Sequence, residues 1–157
     1  MSANDVCVIG AGNALRGDDA AGLAVAQALR DRLPGARVIE SDGDGAALID
    51  AWQGARFVVL IDAVSSGAAP GTVHRFDADA EPLPVRLFHY STHAVSVADA
   101  VELARALGTL PPRLVVYGIE AANFEAGAPL SPAVQRAVDG LVEHVLREAG
   151  ALTEAEV

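Results

Sequence analysis

The chain alternates short apolar runs with longer amphipathic stretches along its length. Val6-Cys7-Val8-Ile9 is a continuous apolar run ending in Gly10-Ala11-Gly12, the pattern of a strand covered on both faces. From about 18 to 33, Val25, Ala26, Leu29 and Leu33 recur at helical spacing, and Pro34-Gly35 stops the helix. Residues 37–40 form a second strand. A short helix follows over 44–52, with Leu48, Ile49 and Trp52 on its apolar side. Phe57-Val58-Val59-Leu60-Ile61 is the clearest central strand, and it ends at Asp62. Residues 72–76 alternate in the manner of a strand at or near an edge. Pro82 and Pro84 mark 77–90 as an irregular loop. Ser91-Thr92 caps a helix that runs to Leu107, with Gly108 beyond it. Residues 114–118 form another buried strand and 121–130 a loop. Ser131-Pro132 then opens a last helix that runs to about Ala149 and closes at Gly150.

This alternation predicts an α/β three-layer sandwich, with a twisted, mostly parallel sheet of about five strands flanked by helices. The 157 residues fit a single domain, with its core at about 5–149 and a frayed C-terminus.

Composition removes several chemistries. There are 32 Ala, 11 Arg and no Lys, so a Schiff-base lysine and a phosphate-loop lysine are both excluded. The net charge is −10 and the arginines are scattered, which argues against nucleic acid as a partner. The single cysteine, Cys7, sits within a strand and reads as a packing residue. The apolar runs are far shorter than a membrane helix, and no basic, apolar leader opens the chain. The expectation is a cytoplasmic protein with no membrane partner, and nothing demands more than a monomer.

In an open α/β sheet, ligands gather beyond the carboxyl ends of the strands. Those positions here carry Asp18-Asp19, Asp42-Gly43-Asp44, Asp62 and Glu120, and the third helix opens at His93. Two nucleotide readings of the first loop fail. A dinucleotide fingerprint would need Gly where Leu15 stands, and a phosphate loop would need Lys where Asp18 follows Gly17. An acidic rim with one imidazole suits a divalent cation better. Simpler roles compete. Asp18 and Asp44 read as helix caps, and Asp42 can be a turn residue. His93 can be an ordinary first-turn residue, and His74, His89 and His144 read as surface residues. Asp62 is harder to dismiss, because a carboxylate that follows five apolar strand residues is partly buried and needs a partner.

The run from Val8 to Gly22, which includes Gly10-Ala11-Gly12-Asn13 and Gly17-Asp18-Asp19, resembles the N-terminal signature of the hydrogenase maturation proteases. The resemblance continues through Asp42-Gly43, Asp62-Ala63, Pro70-Gly71-Thr72, Ser91-Thr92-His93 and Leu130-Ser131-Pro132. It implies a sheet flanked by helices. It also implies an endopeptidase that removes a C-terminal extension from the large-subunit precursor of a nickel–iron hydrogenase. By that resemblance Asp19, Asp62 and His93 contact nickel already carried by the precursor, and Asp42 and Gly43 serve substrate binding. No nucleotide is implied. The chain departs from the family pattern with Asp19 where Glu is frequent, Ala20 where Gly is frequent, and Asp44-Gly45 where Gly-Thr is common. Two readings compete with the protease: a non-catalytic nickel- or precursor-binding chaperone module, and a nucleotide-binding α/β enzyme.

Overall fold

A computed structural model describes residues 1–88 and 95–154. Its five strands form one sheet: β1 (Val6–Ala11), β2 (Arg37–Ser41), β3 (Phe57–Val64), β4 (Val73–Asp77) and β5 (Arg113–Glu120). The spatial order is β2-β1-β3-β5-β4. β1, β2, β3 and β5 run parallel, and β4 is an antiparallel edge strand beside β5. The helices are α1 (Ala21–Arg30), α2 (Gly45–Ala51), α3 (Val97–Leu107) and α4 (Pro132–Glu154). The mostly parallel α/β sandwich expected from the sequence is the architecture found.

Side chains of the central strands alternate between two cores, because successive strand residues point to opposite faces. Cys7, Ile9, Val58, Leu60, Leu114 and Val116 pack with Leu48, Trp52, Val97 and Val101 of the α2–α3 layer. Val6, Val8, Phe57, Val59, Ile61, Val115 and Tyr117 pack with Val25, Leu29, Val138 and Leu141 of the α1–α4 layer. Coverage on both sides explains why the runs 6–9, 57–61 and 114–117 are apolar throughout. Cys7 is fully buried, as expected of a packing residue.

Two glycines bring α1 onto the sheet backbone. A Cβ on Gly22 would lie 2.4 Å from the Ile61 carbonyl oxygen and 2.5 Å from that of Ala11. A Cβ on Gly10 would lie 2.1 Å from the Gly22 carbonyl oxygen. The start of α1 is thereby seated across β1 and β3, and the turn that precedes it lies over their carboxyl ends.

Several expected boundaries move. β3 continues through Asp62 to Val64, so Asp62 is a strand residue rather than the first loop residue. Residues 17–20 form a 3₁₀ turn ahead of α1, and Asp18 is not a cap. The cap of α3 is Ser96, whose hydroxyl accepts from the Asp99 N–H while Asp99 accepts from the Ser96 N–H. This capping box, rather than Ser91-Thr92, starts the described helix. α4 runs through Gly150, because Leu152 still packs against the α1–α4 core. Asp44 does cap α2, accepting from the Ala46 N–H at 3.1 Å.

Candidate functional site

The chain leaves β1 for β2 on one side and returns to β3 on the other, so the strand order switches direction between β1 and β3. Crevices at such switch points are the usual ligand sites of open α/β sheets. Asp19 and Asp62 lie at this one. Asp19 belongs to the 3₁₀ turn after β1, and Asp62 to the last turn of pleat of β3.

The backbone of the first loop is shaped to deliver Asp19. Gly12 has φ of 152°, and a Cβ there would lie 1.9 Å from the Asp19 carbonyl oxygen, so only glycine lets the turn fold back this closely. The Gly12 N–H donates to the Ser41 carbonyl at 3.0 Å, which ties the loop to the end of β2. The Asn13 N–H donates to Asp19 Oδ2 at 3.1 Å.

The two carboxylates interact electrostatically. Burial pushes the Asp62 carboxyl up to about 8, and the negative charge of Asp19 pushes in the same direction. The neighbouring Ala63 N–H, donating to Asp62 Oδ1 at 2.9 Å, opposes this only in part. Asp19 is raised as well, mainly by burial, against the Asn13 N–H and the charge of Arg16.

Asp42 and Gly43 lie in the turn between β2 and α2, at the same end of the sheet. Asp42 Oδ1 accepts from the Asp44 N–H at 3.0 Å, and the Gly43 N–H donates to Ser41 Oγ at 3.1 Å. Gly43 has φ of 91°, a conformation that favours glycine. The Gly45 N–H donates to the Val95 carbonyl at 2.9 Å, so this turn abuts the chain just after residue 94. His93 and the Ser91-Thr92 pair, like His89, lie outside the described residues. The structure thus brings Asp19 and Asp62 together and places Asp42-Gly43 at the same rim. Among the described residues, no group of three or more His, Cys, Asp or Glu side chains is arranged to hold a metal ion.

Two buried carboxylates had other roles in the sequence reading or none. Asp18, 1% exposed, accepts from the N–H groups of Ala122, Asn123 and Ser131 and from the Ser131 hydroxyl. Glu120, also 1% exposed, accepts from the Ser66 N–H at 2.8 Å, from the Ser66 hydroxyl, and from His74 Nε2 at 3.2 Å. His74 is therefore half-buried and paired rather than a free surface residue. Glu120 carried the same signal as Asp62, an acid ending an apolar strand. His144 is exposed, with its ring edge against Tyr117.

Comparison with known proteins identifies the class. The family model of the hydrogenase maturation proteases (HycI) matches residues 23–148, and the chain belongs to that family. The hydrogenase 2 maturation protease of Escherichia coli is 29% identical over 152 residues, covering 92% of each chain. The hydrogenase expression/formation protein HoxM of Azotobacter vinelandii is 28% identical over 155 residues, 91% of this chain and 75% of that one. The solved structure of the maturating endopeptidase HybD from E. coli superposes with a TM-score of 0.76 at 27% identity, covering 96% of this chain and 94% of that one. The HybD protease from Thermococcus kodakarensis gives 0.71 at 28% identity, with coverage of 95% and 99%. No helix among the described residues is long and apolar enough to cross a membrane.

Proposed function

We propose that the chain is an endopeptidase that removes a C-terminal extension from the nickel-loaded large-subunit precursor of a nickel–iron hydrogenase. Family membership supports the reaction class. The observation that carries the metal part is the pairing of Asp19 with Asp62, which leaves Asp62 disfavoured as an anion. A divalent cation brought by the substrate relieves that repulsion and converts both carboxyls into ligands. Oxygen donors joined by an imidazole suit nickel among the borderline divalent ions, which is the part assigned to His93. Asp42 and Gly43 take the substrate side of the rim.

Nickel in this reading belongs to the substrate. A bound metal of this kind polarises a carbonyl or acidifies a water. Neither Cys7 nor Ser66 is set up as a nucleophile. The Cys7 thiol is buried and pushed up to about 11. Ser66 and His74 both direct their hydrogen bonds to Glu120, so the hydroxyl is not paired with the imidazole as a base. A chain that depends on its substrate's metal therefore checks for metal insertion in the act of cutting. Incubation with nickel-loaded and nickel-free precursor, followed by intact-mass measurement, tests this. Loss of the C-terminal mass from the loaded precursor alone supports the protease. A stable complex with no mass loss supports the chaperone module instead.

A further inference from the structure

The first loop is built against a segment more than a hundred residues away. Both Asp18 oxygens are occupied: Oδ1 by the Ser131 N–H at 2.7 Å, and Oδ2 by the Ala122 N–H at 2.8 Å, the Asn123 N–H at 3.1 Å and the Ser131 hydroxyl at 2.9 Å. The Asp18 N–H donates to the Asn123 carbonyl at 2.8 Å, and the Gly127 N–H to the Leu15 carbonyl at 2.8 Å. Arg16 and Ala126 form an antiparallel bridge. Gly17 has φ of 55°, and a Cβ on it would lie 2.7 Å from the Asn123 carbonyl oxygen. Nearly every residue from 15 to 18 is thus fixed by the 122–131 segment.

Asp19 follows directly. Among the described residues its side chain accepts one hydrogen bond, from the Asn13 N–H, so its position is inherited from the turn that holds it. We propose that Asp18 is a positioning residue for the cleavage reaction, clamping the 122–131 segment to the first loop and thereby aiming the Asp19 carboxylate at Asp62. A carboxylate is the group this place requires, because four donors converge on it and a neutral amide would set its own N–H groups against them. The inference rests on the reading of Asp19 as a site acid.

The Asn13 amide reports Asp19 placement without any substrate. In Asp18→Asn, hydrogen exchange should accelerate at least tenfold at Ala122, Asn123 and Ser131, and also at Asn13. Cleavage of nickel-loaded precursor should fall at least tenfold at a temperature where the variant is fully folded. Val142→Ala, a cavity in the α1–α4 core away from this rim, is the control for lost stability, and it should change neither Asn13 exchange nor cleavage. Ser131→Ala removes one of the four bonds and serves if Asp18→Asn does not fold; it should show the same two effects, several-fold in size. Unchanged Asn13 exchange together with control-level cleavage in either Asp18→Asn or Ser131→Ala overturns the proposal. If Asp19→Ala cuts normally, the reading of Asp19 falls instead, and the exchange result stands apart from it.

Discussion

Asp62 at the end of β3 lies in the electrostatic field of Asp19, and burial and that field together raise its carboxyl to about 8. The pair sits where β1 and β3 diverge, at the switch point of the sheet. Charge repulsion of this kind is a cost to the folded chain that a bound cation removes.

The first consequence concerns stability. The folded-state pKa of Asp62 is above its unfolded value of 3.8, so the folded chain holds a proton there that the unfolded chain releases. The protonated form is compatible with folding below about pH 4, and ionisation destabilises the fold progressively from there to about 8. Asp62→Asn should leave the melting temperature nearly unchanged at pH 4. At pH 8 it should raise stability by roughly 2 kcal/mol, seen as a higher Tm in calorimetry.

Cleavage should have the opposite dependence. A carboxyl must be ionised and a histidine neutral to ligate a metal. Single-turnover cleavage of nickel-loaded precursor should therefore be at least tenfold slower at pH 5 than at pH 7.5. Equal rates at the two values would remove Asp62 and His93 from metal contact.

Glu120 behaves as the reverse of Asp62. Burial opposes its ionisation, but bonds from Ser66 and His74 outweigh burial and hold it below the ordinary glutamate value. Its contribution is present above about pH 4.5 and is lost on acidification through the lowered value. Glu120→Gln should cost about 1.5–3 kcal/mol at pH 7 in denaturant unfolding, the range for hydrogen bonds to a charged group. The loss should shrink in acid.

The approach of α1 to the sheet gives a steric prediction. Gly22→Ala places a methyl 2.4 Å from the backbone carbonyl of Ile61, which no side-chain rotation relieves. Overpacking against backbone should cost about 3 kcal/mol and lower Tm by roughly 6–12 °C.

Much of this was legible in the sequence. Apolar runs such as Phe57–Ile61 mark strands buried on both faces, because both faces of the sheet are covered by helices. Asp62 stood out because an acid closing such a run must be partly buried. Asp18 was misread as a cap because its partners lie 104 to 113 residues away, and no local pattern announces them. Ser96-Val97-Ala98-Asp99 is a capping-box sequence, yet Ser91-Thr92 offered an earlier start of similar chemistry. Gly150 did not end α4 because tertiary packing of Leu152 outweighs the local preference of one glycine. His74 looked isolated because its partner Glu120 reaches it only through the pairing of β4 with β5.

The central claim is that Asp19, Asp62 and His93 act together on the precursor's nickel. It is tested most directly by single-turnover cleavage of nickel-loaded precursor with Asp19→Ala, Asp62→Ala and His93→Ala, each first shown to be folded by circular dichroism. The account predicts a loss of at least a hundredfold in each variant, with the wild-type chain inert toward nickel-free precursor. Wild-type rates in the three folded variants would contradict it.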